Sequence, residues 1–221
     1  MSGRSSAHSL AGLAWLAACA ALAACGKSDS GPKKPEADPA EVGKLAALMA
    51  RNVPTPAATR ECTPEDLDGG APMTFRSLML LANHKLADRP EDAPWVNPTQ
   101  LEHPAVPTLL DDKADKTKVR QAAAELLAAP FWIAYKVDHV NAPMALGVKE
   151  LKLGTVGTRV IRYEKTGVPA CVQVFFFQND KKISDDAITV SDKAAIDPAV
   201  AKILRDDLAR QYIKLAPRGT K

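Results

Sequence analysis

The chain is 221 residues long, 46% hydrophobic and 25% charged, with 29 Lys and Arg against 26 Asp and Glu and only 5% aromatic residues. That length holds one domain or two small ones, and so high a hydrophobic fraction argues against a disordered chain. A net charge of +3 supplies no field for gripping nucleic acid, and four cysteines are too few for a disulfide scaffold.

Met1 to Ala24 contains neither Asp nor Glu. Arg4 and the amino terminus make a positive start, and Leu10 to Ala24 is an apolar run of 15 residues. A bilayer-spanning helix needs about 20. A run of this size, ended by the small residues Ala23 and Ala24, reads as a secretory signal. Leu22-Ala23-Ala24-Cys25 resembles the lipobox of bacterial lipoprotein signal peptides. The resemblance implies that the leader is cut before Cys25, that Cys25 is diacylated on sulfur, and that its new amino group is acylated as well. Leu16-Ala17-Ala18-Cys19 fits the same pattern, but cleavage there leaves a hydrophobic stretch in front of the polar Gly26-Lys27-Ser28-Asp29. In such lipoproteins an Asp just after the cysteine signals inner-membrane retention. Gly26 stands there instead, so the resemblance implies the outer membrane, with the domain facing the periplasm. Two or three acyl chains, palmitate among them, make a stable anchor where one binds only marginally.

The expected organisation is a signal peptide over 1–24, a lipidated cysteine and flexible tether over 25–38, and a single domain over 39–221. The tether, GKSDSGPKKPEAD after Cys25, has Ala37 as its one apolar residue, and such a composition builds no core. Asp38-Pro39 then reads as a helix cap followed by proline at the first helical position, with Val42, Leu45, Ala46 and Met49 at helical spacing and Pro54 as the stop. Nine prolines between 54 and 107 predict turns and extended pieces. Within that stretch Phe75, Leu78, Met79, Ala82 and Leu86 predict a helix over 74–86. A second helix is predicted over 115–128, ended by Pro130.

From 131 the period becomes two. Phe131, Ile133, Tyr135 and Val137 share one face, which His139 continues. Strands are expected over 149–153, 158–164 and 168–178, with a hairpin turn at Lys165-Thr166-Gly167. The last of these is expected to be central, with both faces buried. Asp197-Pro198 repeats the cap-and-proline start, and Val200, Ile203, Leu204, Leu208 and Tyr212 form the stripe of a final helix. Helices, then antiparallel strands, then a helix make an α+β fold: helices on a small antiparallel sheet of three to four strands, with a proline-rich irregular segment.

Removal of the leader and lipidation of Cys25 leave Cys62 and Cys171, an even pair in an oxidising compartment, which predicts a disulfide. His84, His103 and His139 lack metal-ligand spacing, so neither a metal nor another cofactor is expected. Asp111-Asp112, Asp185-Asp186 and Asp206-Asp207 are adjacent in sequence and therefore point apart, which reads as solvated surface. Lys149, Lys152, Arg159, Arg162 and Lys165 make a candidate basic patch, Glu150 and Glu164 interleaved. Trp95, between two prolines, either plugs the core or meets a partner. The candidates for a ligand or partner site are thus Trp95, His139, Arg159 and Arg162. The expected function is binding or scaffolding at the envelope, with contact to the membrane through lipid, an envelope protein as partner and no nucleic acid. A hydrolase with a non-local histidine site and a small-ligand or lipid carrier are the alternatives.

Overall fold

The computed structural model describes residues 33–147, 150–180 and 198–217, and those from Lys34 onward belong to one compact unit. The expected signal peptide over 1–24, Cys25 and most of the expected tether over 25–38 lie outside the described residues. The tether ends sooner than its composition suggests. The Ala37 amide donates to the Arg120 carbonyl at 3.1 Å, and Ala37 packs against the core.

Helix α1 (Pro39–Arg51) starts as expected, with the Asp38 carboxylate accepting from the Ala40 amide at 2.9 Å and Pro39 in the first turn. Its buried stripe is Val42, Ala46 and Met49. The helix expected over 74–86 is present but shorter, covering Phe75–Leu81. Strand β1 (Ala71–Thr74) comes first, and Thr74 then caps α2 (Phe75–Leu81) by accepting from the Ser77 amide. Helix α2 ends early because Asn83 turns left-handed at φ 62°, and the His84 amide closes the turn on the Met79 carbonyl at 2.9 Å. A short helix, α3 (Ala105–Leu110), was not expected, since Pro107 argues against one. Proline is tolerated in a first turn, where its missing N–H has no helical partner to lose. Helix α4 (Lys116–Ala128) follows, capped by Asp115.

The strands β2 (Trp132–Asn141), β5 (Thr155–Tyr163) and β6 (Pro169–Gln178) form an antiparallel meander, and β1 adds parallel to β2. The order is β1-β2-β5-β6, so the sheet is mixed rather than purely antiparallel. Strands β3 (Met144–Gly147) and β4 (Glu150–Lys152) form a separate two-stranded ribbon between β2 and β5. The β5–β6 hairpin turns where expected, with Gly167 at φ 76°. Helix α5 (Pro198–Leu215) closes the unit.

Two core layers sandwich the sheet. On one side Trp132, Ala134, Ile161, Tyr163 and Val172 meet α1 to α4. On the other, Phe131, Ile133, Tyr135, Val156, Val160 and Phe177 meet Leu208 and Tyr212 of α5 and the irregular segment carrying Cys62, Leu67, Val96 and Leu101. Gly70 marks the entry to β1: a Cβ there would lie 2.2 Å from the Phe131 ring, so this close approach admits glycine alone.

The disulfide joins Cys62 to Cys171, with Cα atoms 5.0 Å apart, and fastens the irregular segment to β6. Beside it, the Val172 amide donates to the Arg60 carbonyl at 2.9 Å and the Cys62 amide donates to the Val172 carbonyl at 3.2 Å. Strand β6 is nevertheless an edge strand, contrary to the expectation of a central one. Cys171 and Phe177 are buried on one face, whereas Val174 and Phe176 on the other are 43% and 67% exposed.

Candidate functional site

Cover over the sheet on the α1–α4 side stops partway along β5 and β6. Ala134, Ile161 and Val172 form the last fully covered row. The next row is Lys136, Arg159 and Val174. Asp138 clamps it, accepting from Lys136 Nζ at 2.6 Å and from Arg159 Nε and Nη2 at 2.5 and 2.6 Å. Arg159 also donates to the Pro54 carbonyl, which ties the chain leaving α1 to the sheet. Burial works against the charged form of Asp138, but the hydrogen bonds from Arg159 and Lys136 outweigh it and hold its pKa below the usual carboxylate value. The row beyond is His139, Gly157 and Phe176, in which His139 and Phe176 are exposed.

A β-bulge builds that last row. Val137 pairs with Thr158, but His139 pairs with Gly157, so Asp138 is the extra residue and the strand changes parity there. His139 therefore leaves the face shared by Phe131, Ile133, Tyr135 and Val137, contrary to the alternation in the sequence. Val140 takes its place against the α5-side core. The exposed imidazole lies flat over Gly157, where a Cβ would fall 2.1 Å from His139 Cε1, and its centroid stands 5.8 Å from that of Phe176. Asn141 and Thr155 end the face with a 3.0 Å side-chain hydrogen bond. A depression of about 640 Å³ opens here, lined by His139, Thr155, Phe176, Gln178, Gln211 and Leu215. It opens broadly to solvent, a surface concavity and not an enclosed cavity between sheet and helices.

The other candidates separate. Trp95 is partly buried and packs against the α5-side core, the plug of the two readings considered. Arg162 projects to the face opposite Arg159. It lies 4.2 Å from the centre of the Phe131 ring and bonds Asp66 at 3.3 Å and Glu164 at 3.1 Å. Lys165 reaches the Leu127 carbonyl at 3.1 Å. These side chains therefore do not gather into one basic patch, and Lys149 lies outside the described residues. A second cleft of about 290 Å³ holds Arg76, Arg89 and Lys136 with Glu91, Asp92 and Asp138. Its charges are matched within it: Arg89 meets Asp92 at 3.0 Å and Lys136 meets Asp138.

The histidines sit apart. His103 Nδ1 accepts from the Ala105 amide at 3.2 Å, and burial lowers its pKa against the opposing pull of Glu125. Among the described residues no group of three or more His, Cys, Asp or Glu is placed to hold a metal, and no helix is long and apolar enough to cross a membrane.

Two residues escape the sequence reading. Asp206 is solvated as expected, with its side chain 57% exposed beside Lys202. Asp207 is 1% exposed and accepts from Asn179 Nδ2 at 3.0 Å and the Asp180 amide at 2.8 Å. Asn179 in turn accepts from the Gly154 amide and donates to the Leu204 carbonyl. This knot pins the end of β6 to α5. Its signal in sequence is spacing, since Asp207 falls three and seven residues after Leu204 and Val200. Ile203, assigned to the buried stripe, is 50% exposed. Phe176 also escapes notice, although the polar alternation Thr155, Gly157, Arg159 on the neighbouring strand marks that face as opening to water. No protein-family model, curated protein or solved structure matches this chain.

Proposed function

We propose that the protein is a bacterial cell-envelope lipoprotein, held by lipid on Cys25 at the outer membrane and facing the periplasm, whose domain works by binding a protein partner. Leu22-Ala23-Ala24-Cys25 behind a short apolar run supports the tether. The observation that carries the binding reading is Phe176, 67% exposed on the edge strand of a sheet face that it shares with Val174, Gln178, His139, Gly157, Asn141 and Thr155. An exposed aromatic ring ringed by hydrogen-bonding groups is the composition of an interface centre, with an apolar anchor and a polar rim. A photo-crosslinking residue replacing Phe176 in cells tests the reading, with the same group replacing Glu41, exposed on α1, as control. A discrete adduct to an envelope protein at 176 and none at 41 is expected. Equal labelling at both sites contradicts the reading.

A further inference from the structure

Among the described residues the outer edge of β6 is unpaired between two points fixed by the fold. Toward the start of the strand, Arg60 to Cys62 occupy the edge at Val172, and Pro64 has no N–H with which to extend that pairing toward Val174. Toward its end, the chain leaves the sheet after Gln178, because Asn179 and the Asp180 amide are drawn to Asp207 and α5. Between them lie Val174 to Gln178. Val172 directs its amide and carbonyl away from β5, and pairing with β5 runs without a shift from there to Gln178, so by the alternation of a strand Val174, Phe176 and Gln178 do the same. Edge strands of monomeric proteins carry charge, proline or a bulge as protection, and Val174–Gln178 (VFFFQ) has none.

We propose that this edge pairs antiparallel with the same edge of a second copy of this chain, about a two-fold axis at Phe176. The inference deepens the binding reading above and rests on it. Five residues centred on Phe176 fill the free stretch: Phe176 opposes Phe176 of the other copy, and Val174 opposes Gln178. Each of these pairs exchanges two backbone hydrogen bonds. The strand is uncharged from Pro169 to Gln178, so the self-pairing brings no like charges together, and each copy turns out of the sheet where it meets the other's Arg60–Cys62 segment. Isologous pairing of this kind closes at two and builds no fibre. It leaves His139 and the face beside it open for another protein.

The test is sedimentation equilibrium of the full chain in detergent micelles, with exchange of the Val174, Phe176 and Gln178 amides followed over dilution. The expected result is a monomer–dimer equilibrium in which those three amides lose protection as the dimer dissociates. Phe176→Lys is expected to weaken the dimer at least tenfold. Val174→Lys with Gln178→Glu places opposite charges across the axis and is expected to dimerise within about threefold of the unaltered chain, while Val174→Lys with Gln178→Lys weakens as Phe176→Lys does. All three positions face water, so the variants keep the fold. A monomer at every concentration overturns the proposal, as does a dimer indifferent to the arrangement of charge or a foreign strand co-purifying on β6. If the chain is monomeric yet still yields the single crosslinked adduct at 176, the dimer fails and the binding reading stands. Absence of both fails both.

Discussion

Replacing Cys62 and Cys171 together by alanine removes a cross-link between residues 109 apart in sequence. Closing a loop of that length lowers the entropy of the unfolded chain by an amount equivalent to about 4.8 kcal/mol in the chain-entropy model, and removal of natural disulfides costs about 2–5 kcal/mol. For a unit of about 190 residues, an unfolding entropy near 2.1 cal/mol/K per residue converts this into a fall in Tm of about 5–12 °C. The structure adds where the loss is first felt. Without the sulfurs, Arg60–Cys62 stays on β6 through its two backbone hydrogen bonds to Val172 and through Asp66, which accepts from Arg60 at 2.6 Å and from Arg162 at 3.3 Å. These few contacts then hold the segment, so it opens locally before the sheet melts. Guanidinium denaturation gives the global cost, and hydrogen exchange at the amides of positions 62 and 172 gives the local opening. A stability loss under about 1 kcal/mol, or unchanged protection at position 172, refutes the reasoning.

Three further outcomes follow from the packing. Asp207→Ala leaves the Asn179 side chain and the Asp180 amide without their buried acceptor and costs about 1–3 kcal/mol, whereas Asp206→Ala changes stability by less than about 0.5 kcal/mol; equal effects in urea denaturation contradict the knot. Tyr135→Phe loses the 2.8 Å hydrogen bond to the Pro217 carbonyl and costs about 1 kcal/mol, while Tyr163→Phe removes a buried hydroxyl that has no partner among the described residues and is neutral or stabilising by thermal denaturation; the reverse order contradicts the assignment. The carboxylate of Asp66 is held far below its usual range, first by hydrogen bonding to Arg60 and then by the Thr63 amide. Its folded pKa lies below its unfolded value of about 3.9, so its stabilisation is complete above that pH and drains away as pH falls below it. The denaturation midpoint of Asp66→Asn should therefore fall less between pH 5 and 2 than that of the unaltered chain, and parallel curves would show that the pairing contributes nothing.

Local chemistry carried much of the fold in the sequence. The caps at Asp38 and Asp115 and the turn at Gly167 each act through neighbours a few residues away, so α1, α4 and the last hairpin are legible without tertiary information. The cysteine pair is legible because the proposed leader and lipid account for Cys19 and Cys25 and leave Cys62 and Cys171 as an even pair. What is not legible depends on distant partners. Strand β1 has four residues and contains Pro72. It exists because it lies along β2 as an edge, where a missing N–H is harmless and the Pro72 carbonyl still accepts from the His103 amide. His139 changes face through a bulge that no alternation announces. Burial of Asp207 depends on Asn179, 28 residues away in sequence, and the adjacent Asp206 disguises it as surface. The exposure of Phe176 reflects how far α1 to α4 reach over the sheet, and the pattern of β6 alone carries no record of that.

The tether is the premise of the proposed role, and intact mass spectrometry of the protein extracted from its own membranes tests it most directly. The account predicts a chain beginning at Cys25 that carries the added mass of two or three acyl chains and keeps the Cys62–Cys171 bond. A chain beginning at any other residue, or one with an unmodified Cys25, contradicts it.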